Sequence, residues 1–360
     1  MHPHRTAPGA AVKGATTADA AELTVSDLVV DYPTGRRKHR RAVDGVSLRV
    51  PAGRAVGLVG ESGSGKSTVA KAVLGMAPVS AGQVAYGGTQ LDHLSRGGRP
   101  QQIQVVFQDP YSSLDPTKTI GYTVQEPLRA HADPTGARLS AAEREARVRA
   151  MLAKVGLPAE AADRYPAQFS GGQRQRISIA RALILEPRLV ICDEAVSALD
   201  LSIQAQILNL LLELQQDLGL SLLFITHDLS VVNHIAEDLV VLFRGRVMET
   251  GPAERVYRQP QHPYTRQLVV SAPLPDLGRQ RTRRERREAL ALPPARQAPL
   301  GESCPFAHRC PFAIDRCRIE RPVLRDAPLG GQVACHRAED LPPWTDDLTT
   351  SPEATGSTAL

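Results

Sequence analysis

The sequence predicts an α/β fold, in which short buried strands alternate with helices, and three observations support it. The segment Ala55–Val59 is short and apolar, as the buried strands of parallel sheets are. A glycine-rich segment at 60–68 follows directly, and residues 69–76 then have the apolar spacing of a helix. Three further apolar strands are predicted later in the chain, at 103–107, 189–192 and 221–226.

Residues 60–68 match the pattern G-x-x-x-x-G-K-[ST], which binds phosphate groups. The glycines let backbone N–H groups approach a phosphate closely, and the N-terminus of the next helix faces the same anion. Lys66 is then expected to reach the β- and γ-phosphates of a nucleotide, and the Ser67 hydroxyl to ligate Mg²⁺. The predicted nucleotide-contacting residues of this phosphate loop are Gly60, Glu61, Ser62, Gly63, Ser64, Gly65, Lys66, Ser67 and Thr68.

The three later strands all end in polar side chains, which are Gln108, the pair Asp193 and Glu194, and His227. Ligands of open α/β sheets bind beyond the carboxyl ends of the strands, so these side chains are expected at one edge. Asp193 is predicted to hold Mg²⁺ together with Ser67 and Gln108. Glu194 is predicted to polarise the water that attacks the γ-phosphate, and His227 to contact that phosphate.

The rest of the predicted domain is an antiparallel β part and a helical insertion. Alternating strands at 23–32 and 43–50 flank a basic run at 36–41. That run is either a solvated hairpin tip or a contact for phosphates or anionic lipid. Residues from about 110 to 185 are mostly helical, and Ser170-Gly171-Gly172-Gln173 begins a helix with Ser170 as its N-cap.

Composition limits the possible partners. The chain of 360 residues is 42% hydrophobic and 22% charged, with a net charge of +5. These values suit about two soluble domains, and the basic balance is compatible with nucleic acid or with the inner face of a membrane. The sequence has no apolar run of about 18 residues or more and no signal-like start, so we expect a cytosolic protein with a disordered tail at 1–21.

Taken together, these segments resemble the ATPase subunit of an ABC transporter. The phosphate loop, Gln108, the signature segment 170–173, the Asp193–Glu194 pair, residues 197–200 (Ser-Ala-Leu-Asp) and His227 occur in the order of that family. The resemblance implies a RecA-like phosphate-loop NTPase core with an antiparallel β subdomain and a helical insertion. The ATPase domain is expected at 22–272, with the insertion at about 110–185.

The resemblance also implies that two such domains pack head to tail, so that each ATP lies between the phosphate loop of one and the signature segment of the other. Ser170, Gly171, Gly172 and Gln173 are then expected at the ATP of the partner domain. Tyr32 is expected to stack on adenine, and Asp200 to lie at the dimer interface. His227 is expected to sense the γ-phosphate, and Gln108 to couple the site to membrane subunits.

Residues 261–268 and 304–311 resemble the C-terminal region of dipeptide and oligopeptide importer ATPases, and 109–116 and 202–209 favour the F-type subunit. The implied partners are a second ATPase subunit, two permease subunits and an external substrate-binding protein, at the cytoplasmic face of the membrane. Ala195 departs from the family, which has Pro after the catalytic Glu, and is expected to loosen that loop slightly.

Two alternatives stay open at this point. The same machinery could import nickel, a sugar or another small solute, because the cargo is chosen by other subunits. A soluble ABC ATPase that acts on nucleic acid or the ribosome is the alternative of another class. It predicts two cassettes or a long coiled coil, whereas the phosphate loop and the signature segment each occur once. We therefore expect no direct contact with nucleic acid.

Four cysteines lie close together near the end of the sequence, at Cys304, Cys310, Cys317 and Cys335. A small Cys-rich extension at 301–345 is predicted, after a linker at 273–300 and before a disordered tail at 346–360. A module this small needs a bound metal or a crosslink for stability, and the spacing of its cysteines is not that of paired C-x₂-C zinc knuckles. The resemblance implies a [4Fe–4S] cluster, while Zn²⁺ and unmetallated thiols remain possible. The fifth, Cys192, is predicted to be a small buried hydrophobe.

Overall fold

The computed structural model describes residues 21–35, 38–91, 100–109, 113–131, 139–271 and 301–344. Its strands are β1 (Leu23–Gly35), β2 (Lys38–Val50), β3 (Ala55–Val59), β4 (Val79–Tyr86), β5 (Thr89–Gln90), β6 (Ile103–Val106), β7 (Leu189–Asp193), β8 (Ser221–Thr226), β9 (Asp238–Phe243), β10 (Arg246–Pro252), β11 (Arg325–Asp326) and β12 (Gln332–Val333). Its α-helices are α1 (Lys66–Val73), α2 (Ile120–Ala130), α3 (Ala141–Lys154), α4 (Gly171–Leu183), α5 (Leu201–Leu218), α6 (Leu229–Ile235), α7 (Ala253–Arg258), α8 (Pro263–Ser271) and α9 (Asp315–Ile319). The predicted linker and C-terminal tail, and all of the predicted N-terminal tail except residue 21, lie outside the described residues.

The larger sheet confirms the predicted α/β fold. It has eight strands in the order β11-β12-β10-β9-β3-β8-β7-β6. Strands β6, β7, β8, β3 and β9 run parallel, so their carboxyl ends share one edge. The register places Val59 opposite Thr226 and Asp193 opposite Ile225. The phosphate loop, the Asp193–Glu194 pair and His227 therefore start from neighbouring points of the same edge.

The parallel sheet separates two hydrophobic cores. Successive side chains of a strand point to opposite faces. In β3, accordingly, Ala55 and Val59 belong to the first core, which also contains residues of α2 to α6. Val56 and Leu58 belong to the second core, which contains residues of α1 and of the antiparallel sheet. Cys192 is fully buried in the first core, as predicted, and burial raises the pKa of its thiol to about 12.

The smaller sheet confirms the predicted antiparallel subdomain, with the order β2-β1-β4-β5. Strand β2 begins at Lys38, five residues before the predicted start at Val43. The first two residues of the basic run lie outside the described residues, and Arg41 forms ion pairs with Asp31 and Asp44. Arg41 is thus occupied by carboxylates of its own subdomain.

Helices α2, α3 and α4 form the predicted helical part. Each is preceded by an N-cap residue whose side-chain oxygen accepts a backbone N–H of the first turn. These N-caps are Thr119, Ser140 and Ser170. Within the described residues, no helix is both long enough and apolar enough to cross a membrane.

The Cys-rich module, residues 301–344, joins the larger sheet. Strand β12 pairs with β10, and β11 extends the sheet by one more strand. The ring of Phe306 packs against those of Phe243 and Tyr264, each with centroids 5.4 Å away. The module is therefore continuous with the core, a connection that the sequence did not predict.

Candidate nucleotide-binding site

The phosphate loop is packed so closely that two of its glycines admit no side chain. A Cβ on Gly60 would lie 2.1 Å from the Leu242 carbonyl oxygen, and one on Gly65 would lie 2.7 Å from that of Ala42. Gly65 also has φ of 108°, a left-handed conformation that favours glycine. The end of β9 and the middle of β2 therefore fix the curvature of the loop from two sides.

Lys66 is the buried cation of the site, with 4% of its side chain exposed. Its Nζ donates to the carbonyl oxygens of Gly60 and Glu61, at 2.8 and 3.0 Å, and lies 3.9 Å from Glu194 Oε1. Burial lowers the pKa of Lys66, and the nearby Glu194 and Asp193 oppose that shift. The ammonium group is held inside the loop, beside the end of β7.

Ser67 and Asp193 meet where α1 begins and β7 ends. The Ser67 hydroxyl donates to Asp193 Oδ1 at 3.0 Å. Burial raises the pKa of Asp193, and the Ser67 hydrogen bond opposes that shift. A hydroxyl and a carboxylate oxygen are hard ligands of the kind that Mg²⁺ takes, so the pair fits the ion that the sequence predicts.

Glu194 is held in an unusual backbone conformation, with φ of 51°. Its N–H donates to the Ile225 carbonyl at 2.9 Å, and its carbonyl accepts from the Ser197 hydroxyl at 3.0 Å. A left-handed conformation costs a non-glycine residue about 1 kcal/mol or more and is frequent at functional sites. The carboxylate faces Lys66 on one side and, on the other, His227, whose Nδ1 is 3.7 Å from Glu194 Oε1.

Gln108 and His227 lie at the open side of the edge. Gln108 is exposed, and its side-chain amide donates to the Ser197 hydroxyl at 3.4 Å. His227 keeps 55% of its side chain exposed. Both therefore border the carboxylate pair and remain accessible from solvent.

The signature segment makes its contacts at the starts of α4 and α5. The side chains of Ser170 and Gln173 hydrogen-bond each other's backbone at the start of α4, and Asp200 caps α5. A Cβ on Gly172 would lie 2.4 Å from Ile203 Cγ2, so the first turns of α4 and α5 are in close contact. Ser170, Gln173 and Asp200 are exposed, and Gly171 is half-exposed.

The remaining predicted nucleotide contacts lie in the phosphate loop, in α1 and in β1. Ser62 and Gly63 are exposed at the tip of the loop, Ser64 is buried beneath it, and Thr68 is half-buried in α1. Tyr32 is half-buried in β1 and packs against the second core.

The four clustered cysteines line one small cavity, together with His262 and Phe306. Burial raises the pKa of the Cys304 thiol to about 11 and that of Cys310 to about 12, and it also raises the pKa of Cys335. The Arg337 N–H donates to Cys335 Sγ at 3.4 Å. In the described part of the chain, no three His, Cys, Asp or Glu side chains are grouped so as to hold a metal ion.

Sequence reasoning missed two residues that contact the phosphate loop. The Tyr264 hydroxyl accepts the Glu61 N–H at 2.8 Å, and Arg309 binds the Glu61 carboxylate through two contacts of 2.7 Å. Tyr264 and Arg309 lie in the two C-terminal segments whose resemblance was noted, but nothing in their spacing indicated the loop.

Comparisons with known proteins identify two families that match this chain. A family described as ABC transporter matches residues 43–197, and a family described as oligopeptide/dipeptide transporter, C-terminal region, matches 248–317. The oligopeptide transport ATP-binding protein OppF of Escherichia coli K12 is 46% identical over 311 residues, which cover 84% of this chain and 90% of that protein. The dipeptide transport ATP-binding protein DppF of Haemophilus influenzae is 44% identical over 302 residues, which cover 82% and 88%.

A solved structure shares the fold of the ATPase part. The ATP-binding cassette MJ0796, in a dimeric post-hydrolysis state bound to ADP and Pi, matches with a TM-score of 0.57 and 28% identity. The match covers 64% of this chain and 98% of that one. With the two families and the curated relatives, it shows that the chain belongs to the ABC ATPases, in the family of oligopeptide and dipeptide transport ATP-binding proteins.

Proposed function

We propose that the chain binds Mg·ATP at the edge described above and hydrolyses it to power the import of dipeptides or oligopeptides. One observation carries the proposal: Lys66, Ser67, Asp193 and Glu194 converge on the phosphate loop, with Ser67 and Asp193 3.0 Å apart and Lys66 and Glu194 3.9 Å apart. A cation, two metal-ligand oxygens and a base are the groups that phosphoryl transfer to water requires.

Each group has a distinct role in this mechanism. Lys66 would neutralise the β- and γ-phosphates, while Ser67, Asp193 and Gln108 would hold Mg²⁺. When bound, the ion would stabilise the negative charge that develops on ADP, the leaving group. Glu194 orients a water and accepts its proton, and His227 borders the same position on the exposed side. Tyr32 supports the adenine ring.

A second ATPase subunit would complete the site. Ser170, Gln173 and Asp200 are exposed, and their local hydrogen bonds leave them accessible to another domain. In the proposed dimer, Ser170, Gly171, Gly172 and Gln173 contact the ATP held by the phosphate loop of the partner. Two permease subunits and an external substrate-binding protein complete the importer, which places this chain at the cytoplasmic face of the cell membrane.

We propose that the four cysteines that line this cavity hold a [4Fe–4S] cluster, whose binding would draw together thiols that, as the structure places them, do not form a metal-ion site. Four thiols surround one space, and metal ligation would keep them deprotonated against the burial that raises the pKa values of Cys304, Cys310 and Cys335. The N–H donated to Cys335 stabilises a thiolate at that position. Anaerobic purification with iron, sulfide and zinc analysis tests this. A colourless protein without iron would contradict it, and stoichiometric zinc would assign the cavity to Zn²⁺.

Transport in cells tests the proposed cargo. A Lys66→Ala substitution in the native host should abolish uptake of a labelled oligopeptide and leave nickel and sugar uptake unchanged, because only the peptide importer loses its ATPase. The purified parent chain should also hydrolyse ATP in Mg²⁺ and stop when Mg²⁺ is chelated. Unchanged peptide uptake, or a selective loss of nickel uptake, would overturn the peptide assignment.

A further inference from the structure

Glu61, the second residue of the phosphate loop, is contacted through all three of its polar groups. Its N–H donates to the Tyr264 hydroxyl at 2.8 Å, and its carbonyl accepts from Lys66 Nζ at 3.0 Å. Its carboxylate forms the two contacts with Arg309. The Glu61 peptide, whose carbonyl oxygen accepts from Lys66, is therefore held by two residues from C-terminal segments of the chain, Tyr264 and Arg309.

Arg309 belongs to the part of the module that is built around the cysteines. It ends the short 3₁₀ helix Ala307–Arg309, which lies between Cys304 and Cys310. The N–H of Ala307 donates to the Cys304 carbonyl at 3.1 Å, and the N–H of Cys304 donates to that of Cys317 at 2.9 Å. The backbone position of Arg309 thus depends on the fold around the cavity.

The guanidinium is also held in place by rings and by a third polar contact. It lies 5.6 Å from the ring centroids of both Phe243 and Phe306, and it donates to the Gln267 side chain at 3.4 Å. Phe243 directly follows Leu242, whose carbonyl abuts Gly60. A planar group restrained in this way is preorganised for a two-point contact with a carboxylate.

We propose that Arg309 is a positioning residue for the phosphate loop, through which the cysteine module sets the affinity of the same chain for nucleotide. Arg309 and Tyr264 hold the Glu61 peptide, the Glu61 carbonyl holds the Lys66 ammonium, and the loop keeps its shape when Lys66 turns to a phosphate. The inference rests on the proposed ATP site and adds a second region of the chain that controls it.

The expected effect is moderate, because Arg309 and Glu61 are 39% and 40% exposed. In Arg309→Gln, the affinity for a fluorescent ATP analogue should fall about three- to tenfold, as for a two-point, charge-assisted contact near the surface. Turnover at saturating ATP should change less than about twofold, because Arg309 does not reach the reacting atoms. Hydrogen exchange of the amides at 60–66 should become faster.

The matched control is Arg316→Gln. It removes an exposed arginine–carboxylate pair, with Glu320, from the same module without touching the loop. Its nucleotide affinity and loop exchange should equal those of the parent chain. Arg309→Lys should recover only part of the affinity, because an ammonium cannot form the two-point contact.

The outcomes separate this inference from the ATP site itself. If the parent chain does not bind the analogue, the proposed function fails. If the parent chain binds and Arg309→Gln binds equally well, the positioning role is wrong. It is also wrong if Arg316→Gln loses as much affinity, or if Arg309→Gln lowers turnover and affinity in proportion, since general destabilisation would explain those results.

Discussion

The phosphate-loop edge and the Cys-rich module meet at Glu61, but they are built in opposite ways. At the edge, the functional groups lie at the end of a parallel strand or in the loop or helix that follows it, so the pairing of β3, β7 and β8 brings Lys66, Asp193 and His227 to one place. The module and helix α8 reach the loop through single side chains from distant segments, Arg309 and Tyr264. Tyr264 and Glu61 are 203 residues apart, and Arg309 and Glu61 are 248 apart.

The two regions have different roles: the edge carries out the chemistry, and the C-terminal region supports the loop. The edge holds the groups that act on a phosphate, and its short motifs are constrained by that reaction. The module and the segments packed against it supply aromatic rings, the buried Glu249 carboxylate and Arg309, which fix the backbone and are not expected to contact substrate. Substitutions at the edge should therefore change turnover, whereas substitutions on the module side should change stability or affinity.

The largest effect is expected from Glu194→Gln at the edge. The amide cannot accept a proton from the attacking water, so kcat should fall about a hundredfold or more. ATP-analogue affinity should stay within about twofold of the parent chain, because Lys66, Ser67 and Asp193 are intact. Single-turnover hydrolysis and equilibrium titration measure the two quantities. Full turnover in Glu194→Gln would remove the role proposed for this residue.

The next effect is expected from Glu249→Ala on the module side. Glu249 is fully buried, pairs with Arg255 and accepts the N–H groups of Gln261 and His262, at 3.0 and 2.9 Å. Its removal leaves two N–H groups unpaired and the Arg255 guanidinium, which is 11% exposed, without its carboxylate, so the free energy of unfolding should fall by about 3–5 kcal/mol. Urea unfolding of the full chain measures this change.

Glu254→Ala is the matched control for that substitution. Its carboxylate pairs with Arg258 but is 78% exposed, so its loss should cost less than about 1 kcal/mol. Equal losses in the two variants would show that the buried carboxylate does not fix the segment that leads to Tyr264.

Sequence could predict the edge because local patterns determine it. The apolar strands, the loop motif and the polar residues after each strand specified the parallel sheet and which side chains share its edge. The start of a helix agreed where a cap is encoded: the helix predicted to begin after the N-cap Ser170 is observed at Gly171–Leu183. The two sheets and the helical part followed from the same signals.

Sequence could not predict where the two regions meet. Glu61 was expected to contact nucleotide. In the structure its N–H donates to the Tyr264 hydroxyl and its carboxylate accepts from Arg309, and a glutamate in a loop motif gives no sign of these two partners. Strand β12 is two residues long, which is too short to show periodicity, so its pairing with β10 could not be predicted from the sequence. Gly172 was assigned to ATP contact, while its close approach to Ile203 depends on how two helices pack.

The smallest expected effect distinguishes the backbone contact from the carboxylate contact. Tyr264 is fully buried, and Tyr264→Phe keeps its ring against Phe243 and Phe306 while removing the acceptor of the Glu61 N–H. An unpaired buried N–H costs about 1 kcal/mol. We therefore expect nucleotide affinity to fall about two- to fivefold, because about 1.4 kcal/mol corresponds to tenfold. Equilibrium titration with the ATP analogue measures it.

Tyr86→Phe is the control that isolates the hydroxyl. Tyr86 is 4% exposed, and within the described residues its hydroxyl has no hydrogen-bond partner, so removing it should leave affinity unchanged.

Combining Tyr264→Phe with Arg309→Gln should weaken binding less than the product of the single effects if both act through the same Glu61 peptide, since groups that share a partner are not additive. Strict additivity would mean that the loop is held by two independent contacts, with Arg309 of the module acting on the Glu61 side chain and Tyr264 of α8 on the loop backbone.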